Sequence, residues 1–296
     1  HKSVGKVQVR FPDSQLHQNI SKTVCVLQIL GNLPINAQNV AALMHSGVDL
    51  PSSSDEVKNA IEELISDAFV PFGEQDGHLR FFSEKLNDIE QERAQVPLRS
   101  IELKRIQNEA IKEVYSPLPS SQLNGSYSVP TGLKAQTSSG FPTALSGERN
   151  IVQTIVELIN PGDYDATKSR LIDDSRTSTS KNTIFLFGRT SPEMDELANE
   201  IYRSREVVSK YRNEPDQEVK EYCHGQTDRA VRLMSELERL ITRSFTQGSF
   251  IFRGEITASD SLHSNLIDAA RKHLSGVAAQ VFDRHAEAPV RVGTDI

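Results

Sequence analysis

Nine residues in the middle of the chain, Ile151-Val152-Gln153-Thr154-Ile155-Val156-Glu157-Leu158-Ile159, constrain the fold more than any other stretch. Their β-branched side chains are stiff at χ1 and fit a pleated strand better than a helix. A helical stretch follows from Asp163 to Asp173, and then a second apolar run, Thr183-Ile184-Phe185-Leu186-Phe187, ending at Gly188. Strand, helix and strand with short connections make a β-α-β pattern, which commits this part of the chain to an α/β domain. Next, Ser191-Pro192-Glu193 opens a helix with a cap, a Pro at the first helical position and an acid behind it. Met194, Leu197, Ile201, Val208 and Tyr211 form its apolar stripe, and Val219, Tyr222, Leu233, Leu237, Leu240 and Ile241 resume it. Between the halves, Asn213-Glu214-Pro215 predicts a break, because Pro removes an intrahelical donor and clashes with the preceding turn. Two outcomes stay open: the halves pack as an antiparallel hairpin, or they continue in one direction with a kink. Gly248 to Gly254 reads as a short strand, or as a loop that packs Phe250 and Phe252. A helix with a broad apolar face, from Leu262 to Asp283, closes the domain.

The N-terminal part has a different grammar. Ile20, Val24, Leu27 and Leu30 fall at helical spacing, Asn36 to Met44 suggests a second helix, and a Pro/Ser-rich turn from Pro51 to Ser54 precedes a third. That third helix has Asp55 and Glu56 in its first turn and Val57, Ile61, Leu64 and Ile65 on its inner face. Ala68 to Phe72, a turn at Asp76-Gly77 and Leu79 to Phe82 then read as a hairpin. Three helices followed by a two-stranded hairpin is the order of a winged helix. In a DNA-reading member the third helix enters the major groove, yet here Asp55, Glu56, Glu62 and Glu63 stand against a single Lys58. Those carboxylates repel phosphates, so a protein contact or a packing role suits this helix better. Helices from Glu84 to Arg93 and from Ser100 to Tyr115 lead out of the domain.

Residues 116 to 149 are interrupted by Pro and Gly throughout. They read as a linker, or as short edge strands at Tyr127-Ser128-Val129 and Gly132-Leu133-Lys134-Ala135. The expected organisation is therefore a winged-helix-like helical domain over 1–115, a linker or edge strands over 116–149, and an α/β domain with a long helical insertion and a C-terminal helix over 150–296. The fold class is α+β and predominantly helical.

Composition narrows the chemistry. The 296 residues carry a net charge of −7, contain no Trp and are 6% aromatic. Stacking platforms for bases are scarce, and contact with nucleic acid would rest on Lys and Arg reaching phosphates. Cys25 and Cys223 lie far apart, so neither a disulfide framework nor a zinc knuckle is suggested, and reduced cytoplasmic thiols fit. No run approaches the roughly 18 apolar residues of a membrane helix. The chain starts without Met and its last residues fade out without a stop signal, so we expect an internal segment of a larger protein.

Motifs that carry chemistry do not stand out. The phosphate loop G-x-x-x-x-G-K-[ST] is absent, and its nearest imitation is the strand-turn-helix step from Phe185 to Ser191, with Gly188 and Arg189. Asp173-Asp174 lack a third ligand for a metal, the histidines show no zinc spacing, and Cys223 and His224 point about 100° apart on a helix. We expect no catalytic, cofactor-binding or metal-binding residue in this segment.

Several stretches carry a resemblance: Ser21 to Leu30, Leu171-Ile172-Asp173-Asp174-Ser175-Arg176, Gly248 to Gly254, Ala270-Arg271-Lys272-His273-Leu274 and Gln280-Val281-Phe282-Asp283-Arg284. Together they resemble the large P-loop ATPase of BREX phage-defence systems, called BrxC or PglY, in a region downstream of its nucleotide-binding motifs. The resemblance implies a very large cytoplasmic parent that uses ATP and Mg and blocks phage DNA alongside a methyltransferase and other defence proteins. None of its nucleotide-binding residues can be carried over, because the Walker sequences do not occur in this chain.

Two functional readings compete. In the first, the segment is a non-catalytic interaction and coupling module whose partners are other domains of the parent and other defence proteins. In the second, it contacts DNA through basic residues of the α/β domain, with Lys168, Arg170, Arg176, Lys181 and Arg189 gathered on one face. A membrane and a small-molecule substrate are partners for neither.

Overall fold

The computed structural model describes residues 2–31, 33–45, 54–67, 69–75, 77–123, 127–137 and 140–284. The expected turn at 51–53, and Ala68 and Asp76 of the expected hairpin, lie outside them. The fold is α+β, predominantly helical, with a curled mixed sheet. The chain forms two compact units, His1–Leu98 with Tyr202–Val231, and Arg99–Ile201 with Arg232–Ile296.

In the first unit α1 (Lys2–Arg10), α2 (Gln15–Leu30), α3 (Ala37–Met44) and α4 (Ser54–Ser66) precede the antiparallel hairpin β1 (Phe72–Gln75) and β2 (His78–Phe81), and α5 (Glu84–Ala94) follows. Side chains fix the helix starts: Ser14, Asn36 and Ser83 each accept a backbone N–H of the first turn of α2, α3 and α5. Gly31, at φ 69°, ends α2 in the left-handed region. One core gathers Ile20, Val24 and Leu27 of α2, Val40 of α3, Val57, Ile61 and Leu64 of α4, and Phe72, Leu79 and Phe81 of the hairpin. The 3.6-residue spacing of these positions is what lets three helices share one apolar centre.

The second unit begins with α6 (Ser100–Val114), so residues 99–149 belong with the sheet. Strands β3 (Ser120–Leu123), β4 (Tyr127–Ala135), β5 (Thr143–Ser146) and β6 (Val152–Ile159) come next, then α7 (Tyr164–Ser175) and β7 (Thr183–Arg189). Helices α8 (Pro192–Tyr211) and α9 (Gln217–Thr246) lead to β8 (Ser249–Phe252), β9 (Glu255–Ala258), the single turn α10 (Ser259–Leu262) and α11 (Leu266–Val281). The sheet order is β3-β4-β6-β7-β8-β9, with β5 pairing β4. Strands β4, β6 and β7 run parallel, and β3, β5, β8 and β9 are added antiparallel. The parallel step from β6 to β7 needs a crossover, which α7 supplies. Residues 116–149 therefore contribute three strands, and Tyr127–Ala135 is a nine-residue strand inside the sheet.

Strand β7 is buried from Ile184 to Gly188, as a strand covered on both faces must be. On one face Phe185 and Phe187 pack with Ile159, Ile251 and Leu171 of α7. On the other, Phe250 stacks on His273 of α11 with ring centroids 4.7 Å apart. The run Gly248 to Gly254 is a strand and the start of a hairpin, turned by Arg253 (φ 49°) and Gly254 (φ 85°). Two successive positive φ values match the twist of a tight two-residue loop.

The break at Asn213-Glu214-Pro215 separates α8 from α9, and the two halves return antiparallel. Val207, Val219, Tyr222 and Cys223 form a core with Phe82, Leu86 and Ile89, and Ser204 Oγ donates to Gln226 Oε1 at 2.8 Å, both side chains buried.

Candidate functional site

Backbones meet closely at the carboxyl end of β7. A methyl group on Gly188 would strike Ser244 of α9, and one on Gly248 would strike the carbonyl of Phe187. Glycine at both positions lets the last turns of α9 lie against the strand end. Ser244 Oγ, in a buried residue, fixes the contact by donating to the carbonyl of Arg189 at 2.6 Å.

This approach brings Arg189 of β7 and Arg243 of α9 to the walls of one cleft of about 390 Å³. Tyr164, Thr190, Ser191, Glu193, Gln247 and the buried Met194 also line it. The Arg189 guanidinium lies over the Tyr164 ring, 4.2 Å from its centroid, a cation–π contact that orients the head group. No carboxylate pairs with Arg189 or Arg243 among the described residues. The helix N-terminus itself contributes little here. Met194 N–H is capped by Ser191 Oγ at 3.4 Å, Thr190 N–H is given to Ile159 O at 2.9 Å, and Pro192 has no N–H. The charged donors of the cleft are the side chains of Arg189 and Arg243.

The five basic residues expected on one face take separate positions. Lys168 and Arg170 are on α7, Arg176 follows its last turn, and Lys181 and Arg189 flank opposite ends of the seven-residue β7, roughly 20 Å apart along the strand. Arg170 donates to both oxygens of Glu157 at 2.9 and 2.7 Å and to Asp174 at 2.9 Å. Arg176 stands 3.6 Å from Asp173 and packs against Gly254. The carbonyl of Lys181 accepts from Arg253 at 3.4 Å. Of the five, Arg189 is the one that reaches the cleft. Its companions there, Arg243 and Tyr164, were not singled out from the sequence. A basic residue in the last turn of a helix is usual next to the helix dipole, so Arg243 carried no signal of its own. The signal lay in Gly188 and Gly248, two glycines at the ends of neighbouring elements.

In the first unit, the outer side of α4 exposes Asp55, Glu56, Glu62 and Glu63, and Glu63 stands 3.1 Å from Nε2 of the buried His17. Glu62 and Glu74, with Ile65 and Leu79, border a groove of about 180 Å³ beside the hairpin. Cys223 is a core residue whose thiol burial pushes up from its usual range, while His224 is exposed and stands 3.8 Å from Asp228. A buried thiol held protonated is inert as a nucleophile. Among the described residues no group of three His, Cys, Asp or Glu side chains is placed to hold a metal, and no helix is long and apolar enough to cross a membrane. Set beside known proteins, the chain matches no family model, no curated protein and no solved structure.

Proposed function

We propose that this chain is a non-catalytic interaction and coupling segment of a large ATPase acting in bacterial phage defence, with ATP and Mg handled elsewhere in the parent. In this reading the first unit is a winged-helix-like module, supported by the order α2, α3, α4, β1, β2 and by their common core. Its exposed α4 face is acidic, which suits a basic protein surface better than a phosphate backbone. Partners are other domains of the parent and other defence proteins, in the cytoplasm.

The observation that carries the reading is that two helices are built into two cores. Val207, Val219, Tyr222 and Cys223 belong to the core of the first unit, while Met194, Ile201, Leu237, Ile241 and Phe245 of the same helices are buried in the second. A helix pair anchored in this way is the kind of packed element through which one site biases another. The test is hydrogen exchange on the intact ATPase with and without ATP. Coupling predicts a change in protection within 202–231, and identical exchange throughout α8 and α9 would sink it.

A second reading, direct DNA contact, draws on the two arginines of the cleft, which have no carboxylate partners among the described residues. It predicts salt-sensitive binding of DNA by the isolated chain, and the absence of binding at low salt would remove it.

A further inference from the structure

The cleft at the carboxyl end of β7 holds more hydrogen-bond donors than the protein itself uses. Arg189 is oriented by Tyr164, and Arg243 approaches from α9. Thr190 and Ser191 add hydroxyls and Gln247 an amide. We propose that this cleft is a receptor site for a phosphate group, gripped between Arg189 and Arg243.

Three arguments select phosphate. Each guanidinium presents a planar fork that matches two oxygens of an oxyanion, and two forks with two hydroxyls outnumber what a carboxylate's pair of oxygens can accept. A phosphate monoester takes them on three terminal oxygens, and a phosphodiester on two terminal oxygens with two ester oxygens beside them. Met194 and Leu240 are buried and form part of the lining, an apolar wall beside the exposed Arg189 and Arg243 for the group the phosphate is attached to. The volume, about 390 Å³, lies within the range of sites that enclose small ligands and leaves room for the group the phosphate is attached to. Glu193 is the single acid among the described lining residues and opposes the two arginines. The balance at the walls is therefore cationic even though the chain carries −7 overall.

The same chemistry is offered by a free phosphate monoester and by the backbone of a nucleic-acid strand. The inference shares its arginines with the DNA reading but does not need it, since a small ester satisfies the site alone. The experiment is calorimetric titration of the chain with inorganic phosphate and with adenosine monophosphate, alongside anisotropy of a dye-labelled single-stranded oligonucleotide. Each is repeated on Arg189→Gln, Arg243→Gln and Arg239→Gln. Arg239 lies one turn before Arg243, is exposed and pairs with Glu236, so its loss changes net charge equally without touching the cleft. Far-UV circular dichroism checks that each variant folds.

Loss of one fork is expected to weaken binding about tenfold, and Arg239→Gln by less than about twofold. Saturable binding of phosphate or the monoester with that pattern supports the site and assigns it to a small ester. The same pattern with the oligonucleotide alone supports the site and assigns it to a nucleic-acid backbone. Oligonucleotide binding that Arg239→Gln weakens as much as the other two overturns the inference and leaves general electrostatic DNA contact standing. Absence of binding by all three probes overturns both.

Discussion

Gly248 has no room for one more carbon. Its neighbour is the carbonyl of Phe187, and Phe187 is paired with Ser249 in the sheet, so the carbonyl cannot retreat without loosening the β7–β8 ladder. Gly248→Ala is expected to cost about 2 kcal/mol or more and to lower the thermal midpoint by about 5 °C; an unchanged midpoint would show that the close approach is not needed. His273 makes a second residue-level prediction. Burial against Phe250 pushes its imidazole down from 6.5 to about 4, so the folded protein keeps it neutral. As pH falls below 6.5 the unfolded chain takes up a proton that the folded chain refuses, and stability is lost between that value and about 4. At pH 5 the loss is about 2 kcal/mol relative to neutral pH. Denaturant unfolding of His273→Leu should show a smaller drop between pH 7 and pH 5 than the parent protein, and an equal drop would clear His273 of the effect.

At the scale of elements, the α8–α9 hairpin contains a buried polar pair. Ser204 donates to Gln226, and removing one partner strands the other. Gln226→Leu is expected to cost about 1–3 kcal/mol, while Ser204→Ala combined with it should cost less than the sum of the two. Strict additivity in denaturant unfolding would mean that the pair is not coupled. Much at this scale was legible in the sequence. Ile151 to Phe187 declared strand, helix and strand through β-branched runs, and Pro215 declared the break. The direction after the break was not legible, because an apolar stripe says which face is buried and not what buries it. Strand β4 was legible only as two short edge strands, and its continuity was hidden for another reason. Pro130 and Gly132 read as interruptions, yet Pro130 stands one residue before pairing with β6 begins at Thr131, where no donor is required of it. The cleft was half legible. Arg189 follows directly from the strand-turn-helix step, but Arg243 lies on another helix and reaches the cleft only because Gly188 and Gly248 let α9 come close.

At the scale of the whole molecule, charge sets a limit on any encounter with nucleic acid. A chain of net charge −7 with an acidic α4 face repels a polyanion over most approaches, so binding must be local if it occurs. Each phosphate neutralised on a single strand contributes about −0.7 to the slope of log K against log salt. If Arg189 and Arg243 together grip one phosphate, the slope should be about −0.7. A slope of about −3 or steeper needs further cations. It would draw in the other basic residues of α7 and the β7 ends, although Arg170 and Arg176 stand beside carboxylates that would have to release them. A salt series at fixed pH therefore separates a confined phosphate grip from a broad DNA-binding face. The shallow slope is the outcome that the charge of the chain and the placement of its arginines favour.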